Sequence, residues 1–207
     1  MRKKIFLATQ NEGKIERFKD LIRHTGFDVE VFTPLDLKIE DIEAEENGKT
    51  LAENAEIKAR AYFGKVAMPI LANDTGFFVE GEGLVDAPKR IALAGKNEQT
   101  LTKKEIGKAL LEFWRKIAKK HGGKVDAAWI EAFVLLDPDG TIHTADSKRE
   151  VILTDQEFGE THIQMPVRAL YISKATNKPA VQHTQKEEQL EMKPIIDALS
   201  RLLTTPL

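Results

Sequence analysis

A lysine set among polar residues near the start of the chain is the first group able to do chemistry. Thr9, Gln10, Asn11 and Lys14 occupy a polar loop between the apolar run 5–8 and a stretch in which Ile15, Phe18, Leu21 and Ile22 recur at helical spacing. The run has the length of a buried strand, and Gly26 is placed to end the helix. A strand, a polar loop and a helix start leave free backbone N–H groups at the loop, where an anion is favoured and a lysine adds a full charge. The G-x-x-x-x-G-K-[ST] phosphate loop is absent. An ordinary strand-to-helix turn with a surface lysine has the same local pattern, so the loop alone leaves both readings open.

The elements that must carry this loop follow in order. Residues 27–32 alternate as a second strand, closed by Pro34. Residues 35–48 are acidic, with Glu40, Asp41, Glu43, Glu45 and Glu46, and read as a solvated loop. Thr50-Leu51-Ala52-Glu53 is a capping box that opens a helix running to about Lys65. Residues 70–72 form a short apolar run, Asn73-Asp74-Thr75-Gly76 reads as a turn, and 77–79 as a further strand. Residues 81–95 read as a loop. A second capping box, Thr102 to Glu105, opens a helix whose stripe of Ile106, Leu110, Phe113, Trp114 and Ile117 is core packing, and Gly122-Gly123 ends it. Residues 127–136 and 141–153, around Asp137-Pro138-Asp139-Gly140, make a long hairpin; 170–173 is one more short strand, and the last helix is placed near Pro194. Early alternation of strand and helix followed by a hairpin predicts a mixed α/β protein, with a central sheet and a lobe built on the hairpin.

The bulk properties exclude several classes. The formal net charge of −2 argues against attraction to nucleic acid or to an anionic membrane. Without cysteine there are no disulfides, thiolate metal sites or cysteine nucleophile, which fits a reducing compartment. Met-Arg-Lys-Lys followed by four apolar residues is too short for a signal-peptide core, and no run reaches membrane-spanning length. The expectation is a cytoplasmic protein with no nucleic-acid or membrane partner.

Three separated pieces resemble one family. Thr9-x-Asn11-x-x-Lys14, then Glu45-Glu46-x-Gly48-x-Thr50 with Glu53-Asn54-Ala55 and Lys58-Ala59-Arg60, then Ala72-Asn73-Asp74-Thr75-Gly76 stand in order. They are similar to the A-T-x-N-x-x-K, E-x-G-x-T-x-x-E-N-A-x-x-K-A and A-D-D-[ST]-G motifs of the inosine triphosphate pyrophosphatase family, enzymes of non-standard purine nucleotides. The resemblance implies an elongated α/β fold, with a mixed sheet and a central cleft between two lobes, as a single domain over residues 1–207. It implies a homodimer that uses Mg²⁺ to split a nucleoside triphosphate into monophosphate and pyrophosphate. Carried over, Thr9, Gln10, Asn11, Lys14 and Lys58 hold the triphosphate, and Thr75 and Gly76 lie against the substrate. Glu46 binds the metal, and Asp74 binds metal or activates the attacking water. A triphosphate brings about four negative charges, which lysines and a hard cation must offset before water reaches phosphorus.

The second half departs from the family. The usual G-A-P-G-x-Y-S-A-R segment is reduced to residues 86–95, the F-G-Y-D-P-x-F segment to Phe158-Gly159 with Met165-Pro166 nearby, and S-H-R before the last helix is missing. Those segments read the purine ring. Asn73 also stands where the family carries an acidic residue. The expectation is therefore a pyrophosphatase of ITP, dITP, XTP or a related nucleotide with altered base preference, with Arg90, His183 and Gln185 as candidate replacements. The alternative is a nucleotide-binding protein on the same fold that does not hydrolyse.

Overall fold

The computed structural model describes residues 2–40, 42, 44–85, 87–160 and 165–204. Asp41, Glu43 and Asp86 lie outside the described residues. The elements are β1 (Lys3–Leu7), α1 (Glu12–His24), β2 (Val29–Phe32), α2 (Leu51–Ala61), β3 (Ile70–Val79), β4 (Gly83–Val85), α3 (Pro88–Ala92), α4 (Lys103–Lys120), β5 (Lys124–Leu136), β6 (Ile142–Thr154), β7 (Tyr171–Ser173), β8 (Lys178–Pro179) and α5 (Gln185–Thr204). The chain folds into two compact units: residues 1–75, 130–148 and 192–207, and residues 76–129 and 149–191.

In the first unit the strand order is β2-β1-β3-β5-β6. β1 runs parallel to both neighbours, with Phe6 opposite Phe32 on one side and Ile70 on the other. The pleat sends alternate residues to opposite faces. Ile5, Leu7, Leu71, Phe133 and Leu135 therefore join Phe18 and Ile22 of α1 and Leu199 and Leu202 of α5 in one core. Phe6, Ile70, Ala72, Val134 and Leu136 join Ala55 and Ala59 of α2 in the other. This parity fixes where every site residue on β3 and β5 must point.

In the second unit the order is β4-β3-β5-β6-β7-β8, with β4 antiparallel to β3 and β7 antiparallel to β6 and β8. Its core gathers Phe77, Val79, Trp114, Val151, Leu170 and Tyr171. Trp114 meets Phe77 edge-on at 5.0 Å between ring centroids. The buried stripe of α4 is Leu111, Trp114 and Ala118, with Phe113 and Ile117 packed against it, while Ile106 and Leu110 of the expected stripe are only half-buried. The Thr102 side chain and Glu105 complete the predicted capping box at the start of that helix.

Three expectations are corrected. Residues 73–76 are not a turn: β3 runs unbroken from Ile70 to Val79. Local turn propensity in Asn-Asp-Thr-Gly yields to pairing with neighbouring strands, which is a tertiary effect. Residues 81–95 are not a plain loop, since β4 and α3 form within them. The last helix starts at Gln185, and Pro194 lies inside it. Its start is a capping box: the Thr184 hydroxyl accepts from the Glu187 N–H, and Glu187 accepts from the Thr184 N–H at 2.9 Å. Pro194 forfeits one intrahelical bond, while Ile195, Ala198, Leu199, Leu202 and Leu203 bury a continuous stripe beyond it.

Candidate active site

The loop after β1 is built by local hydrogen bonding. Asn11 is the N-cap of α1; its side-chain oxygen accepts from the Lys14 N–H at 3.1 Å, and its own N–H donates to the Thr9 hydroxyl at 3.2 Å. The first intrahelical bond runs from the Ile15 N–H to the Asn11 carbonyl. The N–H groups of Glu12 and Gly13 precede that bond and have no partner within the helix, the usual state of a first turn.

Lys14 rises beside this loop into a cavity of about 550 Å³. Ala8, Thr9, Gln10, Asn11, Ile42, Ala44, Glu46, Lys58, Tyr62 and Asn73 line the rest of it. Burial, followed by the charge of Lys58, holds the Lys14 ammonium below the ordinary lysine range, and Asp74 and Glu46 pull the other way. Lys58 comes from α2, whose start is fixed by Thr50 accepting from the Glu53 N–H at 3.1 Å. The return bond of that capping box is shifted by one residue, since Glu53 accepts from the Lys49 N–H at 2.5 Å.

The Lys58 ammonium lies 2.7 Å from Asp74 Oδ1 and 2.9 Å from Glu46 Oε2. The Lys58 and Asp74 side chains are 15% and 13% exposed, against 46% for Glu46. Asp74 also accepts from Asn54 Nδ2 at 3.4 Å, and Asn54 Oδ1 accepts from the Gly48 N–H at 2.8 Å. That clamp explains the glycine. A Cβ at position 48 would meet Asn54 Oδ1 and Glu53 Cβ, each at 2.7 Å.

The opposite parity of β3 carries a second set. Asn73 Nδ2 donates to the Thr75 hydroxyl at 3.0 Å, and Thr75 donates to Glu131 Oε2 at 3.4 Å. Glu131 is fully buried on β5, and its other oxygen accepts from Arg17 Nη2 at 2.6 Å.

Thr9, Gln10, Asn11, Lys14, Glu46 and Lys58 thus come together in one cavity, and Asp74 joins them through Lys58. Thr75 and Gly76 are not among its lining residues. Thr75 turns to Glu131, and Gly76 lies under Leu84, whose Cδ1 would stand 2.5 Å from an added Cβ. Arg17 and Glu131 escape the sequence reading. Their one signal is a glutamate inside the apolar run 127–136, a position where a charge is retained only if paired.

The candidate base-reading residues lie in the second unit. Arg90 lines a separate cavity of about 520 Å³ with Leu84, Ile91, Phe113 and Lys116. Gln185 is exposed at the first position of α5. The His183 ring is 1% exposed and lies 2.8 Å from the Thr176 hydroxyl and 3.1 Å from Glu191 Oε2. His183, Glu188 and Glu191 are close enough to hold a metal. Two guanidinium groups already balance the two carboxylates, Arg168 on Glu188 and Arg149 on Glu191.

Comparison with known proteins places the chain in one family. The model of the Ham1 family matches residues 5–166. A dITP/XTP pyrophosphatase of Mannheimia succiniciproducens is 32% identical over 161 residues, covering 75% of this chain and 76% of that protein. A dITP/XTP pyrophosphatase of Exiguobacterium sibiricum is 27% identical over 188 residues, covering 89% and 88%. The solved structure of a HAM1 protein from Coxiella burnetii superposes with a TM-score of 0.73 at 20% identity, covering 99% of this chain and 100% of that one, and shares the fold.

Proposed function

The chain belongs to the Ham1 family, and we propose that it is a magnesium-dependent nucleoside triphosphate pyrophosphohydrolase. It converts a triphosphate and water into the monophosphate and pyrophosphate, in the clearance of dITP, ITP, XTP or a related nucleotide. The single observation that carries this reading is the Lys58 ammonium held between Glu46 and Asp74 in a cavity that also contains Lys14.

That ammonium is a stand-in cation. Its position marks a place where two carboxylates and a polar cavity favour positive charge, and their hard oxygens suit Mg²⁺. Glu46 and Asp74 would hold the metal, which when bound offsets phosphate charge and supplies Lewis acidity. Lys14, Lys58 and the N–H groups of the first turn of α1 bind and orient the phosphate chain. Thr9, Gln10 and Asn11 form the wall against which the chain is positioned. Asp74, steadied by Asn54, orients the attacking water toward the α-phosphorus. Lys14 is suited to its task because burial has already removed much of its hydration, so an arriving phosphate meets a poorly solvated charge.

The reading is tested with ATP, GTP, ITP, XTP and their deoxy forms in the presence of Mg²⁺, measuring pyrophosphate and orthophosphate separately. Pyrophosphate and the monophosphate are the expected products. Orthophosphate with a diphosphate would overturn the cleavage position, and binding without turnover would establish a nucleotide-binding protein. We expect discrimination between the deaminated and the ordinary purines to differ from that of the relatives, since His183 is committed to Glu191 and Thr176. A several-hundred-fold preference in kcat/KM for ITP and XTP would refute that. The active form we expect is a cytoplasmic homodimer, to be checked by sedimentation; among the described residues no helix is long and apolar enough to cross a membrane.

A further inference from the structure

We propose that Glu131, acting through Thr75, fixes the direction of the Asn73 side-chain amide and makes Asn73 an oxygen acceptor toward the cavity. The inference rests on the proposed function only for what that oxygen serves.

Asn73 is 6% exposed and lines the cavity with Lys14, Lys58 and Glu46. The two ends of an asparagine amide have nearly the same shape, so its neighbours decide which end faces where. Here the decision starts at a charge. Glu131 is buried, ion-paired with Arg17 at 2.6 Å, and as a carboxylate can only accept. The Thr75 hydroxyl has one proton, and its 3.4 Å contact with Glu131 Oε2 claims it. The contact is long for a hydroxyl–carboxylate bond, so charge rather than ideal geometry sets its direction. Thr75 Oγ1 is left as the acceptor for Asn73 Nδ2 at 3.0 Å. With its NH₂ committed, Asn73 has its side-chain carbonyl oxygen to offer the cavity it lines, on the face of β3 that packs against α1 and Lys14; toward Lys58 it presents its main-chain carbonyl, at 3.5 Å.

The pleat makes the relay possible. Residues 71, 73 and 75 share one face of β3, and 131, 133 and 135 share that face on neighbouring β5, as the packing of Leu71, Phe133 and Leu135 in one core records. The relay also explains the presence of a buried glutamate in an apolar strand. The related motifs carry an acidic residue at position 73, and both oxygens of a carboxylate accept, so it needs no orienting. An amide does need it, and without Glu131 the NH₂ could face the cavity and repel a cation. Glu131 is in this sense a positioning residue.

The test is Glu131→Gln, with Thr75→Val as the second variant should the first fail to fold. A glutamine can donate to Thr75 and free its proton for Asn73 Oδ1, which turns the amide. Mn²⁺ binding is followed by electron paramagnetic resonance with and without an α,β-methylene nucleoside triphosphate. Affinity should fall about 10–100-fold, the size associated with loss of an outer-shell partner. Adding Asn73→Asp to Glu131→Gln should restore it, because a carboxylate has no wrong end; a merely structural role for Glu131 predicts no rescue. Amide orientation is read separately by nuclear Overhauser contacts between the Asn73 NH₂ and the Thr75 side chain, present in the parent and lost in Glu131→Gln. Unchanged contacts, or no rescue by Asn73→Asp, would overturn the proposal. If the parent binds no Mn²⁺ while the contacts behave as stated, the metal reading fails and the orienting role stands.

Discussion

Replacing Lys58 by methionine keeps the length of the side chain and removes the charge that now separates Glu46 from Asp74. Two ion pairs are lost, at 2.7 and 2.9 Å, along with a 3.5 Å contact to the Asn73 main-chain carbonyl. The two pairs are unequal. Glu46 is 46% exposed, so its share is that of a surface pair, about 0–1 kcal/mol. Asp74 is 13% exposed and left with one long bond from Asn54. Losing its charge-assisted partner should cost about 1.5–3 kcal/mol. For a chain of this size each kcal/mol moves Tm by roughly 2–4 °C, so a total of about 1.5–4 kcal/mol should lower Tm by about 3–16 °C. The same variant takes from two carboxylates the cation that both contact, so Mg²⁺ should recover what the lysine supplied. A ligand present at about 100 times its Kd stabilises by about 2.7 kcal/mol. Thermal scans across a Mg²⁺ series without nucleotide should therefore raise Tm in Lys58→Met and move the parent far less. Triphosphate affinity, measured calorimetrically, should drop by about 10- to 150-fold, the equivalent of 1.5–3 kcal/mol. Unchanged Tm with no difference in the Mg²⁺ response would refute the assignment of Lys58 as the resident counter-cation.

Asp74→Asn should lower kcat by at least about 10²-fold with the circular dichroism spectrum retained; near-normal kcat would remove Asp74 from the mechanism. Gly48→Ala places a methyl group against Asn54 and Glu53 at 2.7 Å, so a loss of about 1–3 kcal/mol in denaturant unfolding is expected, together with a lower kcat/KM as Asn54 withdraws from Asp74. Lys14→Met separates stability from function. The lowered pKa means that the folded chain holds this proton less tightly than the unfolded chain does, whose lysine keeps 10.5. The charged form is penalised below the lowered value, and the penalty fades as pH rises from there to 10.5. The variant should therefore melt above the parent at neutral pH, with the gap closing in that window, while it binds triphosphate more weakly than it binds monophosphate relative to the parent. A gap that widens with pH would contradict the burial of Lys14.

The sequence by itself determined the pieces whose causes are local. The strand-loop-helix at Thr9 to Lys14 follows from an apolar run, a capping asparagine and helical spacing, all within a few residues. The helices after Thr50 and Thr102 follow from capping side chains that bond to their own first turn. The order of the three motifs carried the membership of the family. The Thr184 to Glu187 box was equally legible, but Pro194 is the louder local signal. Other facts depend on residues distant along the chain, and only the tertiary structure decided them. Asn73 to Gly76 reads as a turn until β3 pairs with its neighbours and straightens it. Once straight, its period of two sends Asp74 to Lys58 and Asn54, and Asn73 and Thr75 to Glu131 and Arg17. Residues 17 and 131 are 114 positions apart, and no propensity or spacing rule connects them. Their pairing exists because packing of α1 against the sheet brings a guanidinium to a buried carboxylate, and a buried charge must be met where the fold places it.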